Sequence, residues 1–438
     1  MIQNGITNFV SLLDNIMIGQ VGTEQMSGIA IVNQLLFVFY LGIFGALSAA
    51  GIFSAQFYGK GDHDGVRYAL RFKLYISVGI VALGILAFIR YGDQLILLYL
   101  HDEGGTTQSL EAALGYGREY LAVMLFGLLP FGIEEAYASS LRECGETKLP
   151  MIAGISAVFV NLTFNFLLIF GSFGFPKLGV TGAAIATVIS RYVQMVIVIA
   201  WTHLHTKKVH FAEGLYRGFS IPGQLVWKIC VKGLPLMLNE ILWAAGMATL
   251  NQCYSMRGLD AIAGLNIAST ITNLFNVVFI AMGSAVSIMV GQLLGAGKME
   301  EARDTDAKLI TFSVLSCVLI GGILMLLAPL FPMFYKTTEE VRSLATGFIL
   351  VGAGCMPIYA FMHATYFTLR SGGKTLITFC FDSVFLWVVS TPAAYCLSRY
   401  TALPILTLYF CVQMIDLIKC GIGFVLVKKG VWLQNVVR

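Results

Sequence analysis

A few acidic side chains interrupt long apolar runs in this chain, and each is a candidate for chemistry, because an ionisable group at membrane depth is costly. Asp14 lies in Leu12-Leu13-Asp14-Asn15-Ile16-Met17, with no basic residue on the same segment to pair with it. It either caps a helix end and reaches interfacial water, or holds a cation (Na⁺) or a proton inside a bundle. The second is the stronger reading. Glu240, between Asn239 and Trp243, comes twelve residues after Lys228. At ~1.5 Å per residue it sits ~18 Å along a helix, near the membrane midplane. Protonation at that depth can be coupled to transport; the plainer reading is a neutral Glu bonded to a backbone carbonyl.

Glu134 and Glu135 follow Pro130. Adjacent helix positions point about 100° apart, so one is expected to line a cavity. The other reading is a solvated patch with Arg142 two turns on. Asn161 and Asn165 are spaced i, i+4 and share a helix face. Thr187 follows Gly182-Ala183-Ala184, small residues that let helices approach. Their oxygens suit an Na⁺ shell or a protonated carboxyl, or they join helices with no ligand. Asp382 is open between a cavity and a structural role. Asp416 and Lys419, at i, i+3, are expected to satisfy each other. Arg191 is expected to pair with a carboxylate that the sequence does not single out. His203, His205 and His210 are expected in a solvated loop. The sequence holds no Gly-rich Lys-Ser/Thr phosphate loop, no HExxH and no GxSxG, which argues against ATP as the energy source and against an enzyme. No cofactor is expected beyond a coupling H⁺ or Na⁺.

The elements that must position these groups follow from composition. Of 438 residues, 57% are hydrophobic and 12% charged, against about 25% charged in soluble domains. A soluble enzyme, a disordered chain and a nucleic-acid binder are excluded. Apolar runs recur at 1–19, 28–57, 68–90, 113–141, 149–171, 180–203, 227–255, 262–294, 306–331, 341–369, 375–397 and 404–427. A span needs about 20 apolar residues. The backbone in lipid is satisfied only by helices or closed barrels, and the period-two alternation of a barrel is absent. The sequence therefore predicts an all-α polytopic membrane protein of twelve transmembrane helices. The nine cysteines show no CxxC pair, and Cys253, Cys317, Cys380 and Cys411 are read as small buried hydrophobes.

Lys and Arg concentrate in alternate loops: Lys60 and Arg67, Arg142 and Lys148, Lys207 to Lys228, Lys298 and Arg303, Arg370 and Lys374, and the tail from Lys428. The positive-inside rule then places both termini in the cytoplasm. The longest basic loop, 204–226, separates an N-terminal lobe, 1–203, from a C-terminal lobe, 227–438, the latter ending in a short cytoplasmic tail. The lobes are repeats. One constant shift carries Gly22, Gly28, Ser48, Ala49, Gln56, Gly59, Gly61 and Arg67 onto Gly258, Gly264, Ser284, Ala285, Gln292, Gly295, Gly297 and Arg303. A slightly shorter shift carries Leu141-Arg142, Gly145 and Thr147 onto Leu369-Arg370, Gly373 and Thr375. Six spans per repeat imply a pseudo-two-fold axis along the membrane normal. Gly233-Leu234-Pro235 in the seventh span has its counterpart before Met1, so the first helix and its leader are expected to lack about ten residues by this repeat. No cleavable signal peptide is expected.

Leu13-Asp14-Asn15-Ile16-Met17-Ile18-Gly19, Gly51 to Gly61 with Gln56, Leu141 to Pro150, and Gly179-Val180-Thr181-Gly182-Ala183-Ala184-Ile185-Ala186-Thr187 resemble the MATE family of multidrug and toxic-compound extrusion transporters, of the bacterial NorM/DinF-like kind. Gly291-Gln292 to Gly297 and Leu369-Arg370 agree in the second half. The resemblance spans essentially the whole chain. It implies two six-helix lobes around a central cleft, and antiport in which inward H⁺ or Na⁺ drives export of organic cations. It implies that Asp14 is a cation-site residue of the N-lobe, with Asn161 and Thr187 as neighbours. Asn165 stands where many relatives carry Asp, so one charge of that site is missing. Glu240 is similar in position to a C-lobe carboxylate of one branch; the Glu134/Glu135 pair lies outside the family pattern.

Cation and proton coupling is thus expected from Asp14, Asn161, Asn165, Thr187 and Glu240, with Glu134, Glu135, Asp382 and Trp243 as cavity residues. The expected partners are small organic cations such as drugs and dyes and the bilayer of the cell membrane, with the chain acting as a monomer. Carboxylates attract such cations, and aromatic rings add cation–π attraction. A lipid-linked oligosaccharide flippase is the first rival, but its anionic lipid calls for a basic cavity. A membrane-embedded transferase is a weaker one, since His363 has no evident partner. A channel needs a filter or a ring of like charges.

Overall fold

The computed structural model describes residues 23–100, 107–335 and 337–438, together with Met17. Eleven long helices run through them: α1 (Thr23–Lys60), α2 (His63–Leu100), α3 (Thr107–Glu143), α4 (Lys148–Phe170), α5 (Gly179–Leu204), α6 (Gly223–Ser255), α7 (Leu259–Gly295), α8 (Met299–Leu327), α9 (Glu339–Ser371), α10 (Thr375–Tyr400) and α11 (Ile405–Lys428). They correspond to the second to twelfth spans. The first span, and Asp14 with it, lies outside the described residues. Ten of the eleven are long and apolar enough to cross a membrane. The exception is α6, whose apolar run is broken by Lys228, Lys232, Asn239, Glu240 and Asn251.

The helices are apolar on their outer faces. On α2, Leu83, Leu86 and Ile89 are exposed at helical spacing while Val81 and Phe88 are buried. In water such a surface would drive association; in lipid it costs nothing, and the structure is that of a membrane protein.

The described chain divides into two compact units. Among the described residues, one holds 23–54, 63–100 and 107–227; the other holds 55–62, 228–335 and 337–438. The sequence repeat reappears in the backbone. α1, α3, α7 and α9 each end in a left-handed glycine: Gly61, Gly145, Gly297 and Gly373. At each end the residue after the glycine donates back five positions, Asp62 to Phe57, Glu146 to Leu141, Lys298 to Leu293 and Lys374 to Leu369. This is the Schellman closure, in which glycine is favoured because it has no Cβ to clash at positive φ. The repeat-related pair Gly59 and Gly295 does different work. A Cβ on Gly59 would overlap the carbonyl of Gln292, and one on Gly295 would overlap that of Gln56. The two helix ends therefore cross backbone to backbone. Gln56 is fully buried there and donates to Ser371 O at 2.9 Å.

In the segment after α5, His205 and His210 are exposed, as a solvated loop requires, while its apolar residues and backbone are anchored. Phe211 and Leu215 are buried, and Arg71 of α2 donates to the carbonyls of Gly214, Leu215 and Ser220 at 3.0, 2.9 and 3.2 Å. His203 is the last turn of α5, its Nε2 3.0 Å from the Tyr137 hydroxyl and its ring stacked on Tyr216. His210 packs against His63. The loop's backbone carbonyls and rings here find partners on α2 and α3, among them Arg71 and Tyr137, which the loop's composition alone does not reveal. Cys380 is also exposed instead of buried, whereas Cys253 and Cys317 are buried.

Candidate functional site

In the unit containing residues 228–438, four helices bring polar groups together. α6 supplies Asn239 and Glu240, a turn beyond Pro235, which cannot donate to the helical ladder. α9 supplies Tyr366 and, one turn on, Arg370. α10 supplies Asp382 and Ser383 from a π-helical turn, Cys380–Val384. Such turns carry an extra residue and concentrate at functional sites. α11 supplies Lys419.

Asn239 organises the cluster. Its Nδ2 donates to Asp382 Oδ2 at 3.0 Å and lies 3.3 Å from the Tyr366 hydroxyl. Ser383 donates to its side-chain oxygen at 2.8 Å and to its backbone carbonyl at 2.9 Å, so the amide is held from both ends. Tyr366 donates to Glu240 Oε1 at 3.3 Å. Lys419 donates to Asp382 Oδ1 at 2.7 Å and lies 5.2 Å from the centre of the Phe381 ring. Both oxygens of Asp382 are thus engaged, one by an amide and one by an ammonium. Glu240 accepts from a neutral phenol, a weaker partner than an ammonium. Asn239, Ser383, Tyr366 and Lys419 are buried, and Glu240 is half-buried.

Glu240 and Asp382, singled out by sequence, therefore meet through Asn239 and Tyr366. Trp243 does not join them; it packs in the apolar cluster with Leu250 and Leu386. The expected Asp416–Lys419 pair is replaced by Lys419–Asp382. Both partners of an i, i+3 pair can turn elsewhere when a neighbouring helix offers a better-held carboxylate, and Asp382 is fixed by Asn239. Neither Tyr366 nor Ser383 was marked by sequence. Asn239, adjacent to the one acid of α6, was the available signal.

In the other unit, Asn165 donates to Asn161 Oδ1 at 3.1 Å, and Asn161 donates to Thr187 Oγ1 at 3.2 Å. The three residues are brought together across α4 and α5. Of the acidic pair on α3, Glu134 is buried at 4% exposure and Glu135 pairs with Arg142. The two point to different sides of the helix. Arg191 sits over the rings of Phe131 and Tyr40, 5.0 and 5.8 Å from their centres, instead of in an ion pair with a described carboxylate. A further buried pair was not singled out by sequence. Lys73 of α2, fully buried, donates to Glu143 at 2.6 Å and to the hydroxyls of Ser139 and Ser140 at 3.0 and 3.1 Å.

A bundle of apolar helices with polar groups clustered inside its units is the architecture of a polytopic membrane protein. The MatE family model matches residues 1–167 and 235–396, and the chain belongs to this family of transporters. Among its relatives, a probable multidrug resistance protein NorM of Thermotoga maritima is 25% identical over 99% of this chain and 91% of its own length. A probable NorM of Halalkalibacterium halodurans is 25% identical over 90% of this chain and 84% of its own length. A MATE crystal structure in the straight conformation superposes with a TM-score of 0.87 at 19% identity, over 98% of this chain and 93% of the other. At that identity the likeness is one of fold.

Proposed function

We propose that the chain is a secondary efflux antiporter that expels small organic cations in exchange for inward H⁺ or Na⁺. The observation that carries this reading is the cluster on α6, α9, α10 and α11. Asp382 is held by the ammonium of Lys419, while the neighbouring Glu240 accepts from the Tyr366 hydroxyl and lies within the field of Arg370. A carboxylate so placed can take a proton or a cation in turn. Exchange needs no more than this competition: the proton lowers affinity for the cation, and reciprocally the cation disfavours protonation. The names of the relatives, probable multidrug resistance proteins, support drugs and dyes as the cargo.

By its resemblance to family members, Asp14, which lies outside the described residues, is proposed as a second coupling carboxylate, together with Asn161, Asn165 and Thr187. The cell membrane is the proposed location, with both termini cytoplasmic, since the Lys- and Arg-rich turns share one side in the alternation of spans.

Ethidium export from everted vesicles tests the reading, driven first by an H⁺ gradient and then by a Na⁺ gradient. Wild type is expected to export the dye, and Asp14→Asn to lose about tenfold or more of the initial rate, on the scale of a site-to-site coupling energy. The more effective gradient names the ion. No dye movement under either gradient, with the protein verified in the membrane, points instead to a lipid-linked or metabolite cargo.

A further inference from the structure

Lys419 is a cation paired directly with a carboxylate of the C-terminal cluster. Its ammonium is 2.7 Å from Asp382 Oδ1, within the distance at which a free cation would bind that carboxylate. Three features hold it there. The side chain is 11% exposed, so its stem cannot swing into solvent without disturbing the packing of α11. The Phe381 ring lies 5.2 Å from the ammonium and supplies cation–π attraction. The other oxygen of Asp382 is occupied by Asn239, itself locked by Ser383, so the carboxylate cannot rotate away from the lysine.

We propose that Lys419 is a built-in cation that keeps Na⁺ off Asp382 and so confines the exchangeable ion of the C-terminal unit to a proton on Glu240. The proposal rests on the antiport reading and sharpens it at one site. An Na⁺ shell needs several oxygen ligands at short range and no second positive charge beside it. Asp382 is the carboxylate that Asn239 and Tyr366 link to Glu240, and a metal ion bridging the two acids would sit beside the ammonium. A proton on Glu240 asks for no such shell. It needs one carboxyl oxygen, and Tyr366 remains a hydrogen-bonding neighbour in either protonation state. The charged groups whose fields reach Glu240 are Arg370 from α9 and Asp382 from α10. Those around Asp382 are Lys419 and Asp416 of α11, Glu240 of α6 and the His363 imidazole of α9. Removing the lysine charge leaves these acids facing a cluster of oxygens, with Arg370 on the Glu240 side only, and opens the Asp382 side to Na⁺.

The test is binding of radioactive Na⁺ to the purified full-length protein in detergent, with N-methylglucamine as the inert replacement cation. Four proteins are compared: wild type, Lys419→Met, Lys419→Arg and the doubly neutral Asp382→Asn/Lys419→Met. Lys419→Met is expected to bind Na⁺ about tenfold or more tightly than wild type, because a like charge a few ångströms away is gone. Lys419→Arg is expected to behave as wild type, and the double variant to lose the gain. Lys419→Met that folds and gains no Na⁺ affinity overturns the proposal. So does wild type that binds more Na⁺ than the double variant, a comparison that decides the matter even where Lys419→Met does not fold. The readout is binding alone, so a failure here is separate from a failure of dye export.

Discussion

Glu240→Gln is expected to reduce dye export about tenfold or more while the protein reaches the membrane at normal levels, matching a coupling energy of 1–3 kcal/mol, about 5–150-fold. The amide keeps the size and can still accept from Tyr366, so the hydrogen bond at 3.3 Å survives in form. What disappears is the charge that a proton or an organic cation would exchange on. Asp382 does not replace it, since Lys419 and Asn239 hold both its oxygens. Glu240→Asp retains the charge but retreats from Tyr366 by one methylene, and intermediate activity is expected. Export rates normalised to membrane protein decide the point. Full activity in Glu240→Gln would remove this carboxyl from the exchange.

The second large effect is on stability. Lys73→Met leaves Glu143 without its ammonium in a place where the lysine is fully buried and the glutamate side chain 12% exposed. Breaking one partner of a buried pair costs about 3–5 kcal/mol, because the remaining charge stays desolvated. Two seryl hydroxyls, Ser139 and Ser140, lose their donor as well. Lys73→Met combined with Glu143→Gln removes both charges and is expected to recover most of the loss. Thermal unfolding of the two variants in detergent, followed by size-exclusion chromatography, measures this. Equal losses in both would show that lysine packing, not the ion pair, is what matters.

The expected helices were legible because spanning lipid admits few solutions, and runs of about 20 apolar residues mark them. The repeat was legible for a related reason. Glycines at helix ends obey backbone rules, and Gly61 with Gly297, and Gly145 with Gly373, reappear as left-handed closures. Glu240 and Asp382 were visible as isolated acids. Their partners were not. Lys419 had a carboxylate three residues away on its own helix, and helical spacing says nothing of a neighbouring helix that offers a better-held one. Tyr366 is one of 18 tyrosines, and its sequence neighbours do not mark it as the donor to Glu240. Lys73 lies inside an apolar run and deserved the scrutiny given to the acids there, because a buried lysine requires a partner as much as a buried glutamate does. His205 and His210 are exposed, as the polar composition of their loop implied, yet Phe211 and Leu215 within it are buried.

The central claim is exchange, and it is tested most directly in proteoliposomes containing the purified protein and a trapped pH-sensitive dye. An acid interior is imposed, and ethidium is added outside. The account predicts that the added cation discharges the pH gradient at a rate set by its concentration, and that Glu240→Gln liposomes hold the gradient. A gradient that wild type holds under ethidium, with a Na⁺ gradient likewise unmoved, would contradict cation antiport by this chain.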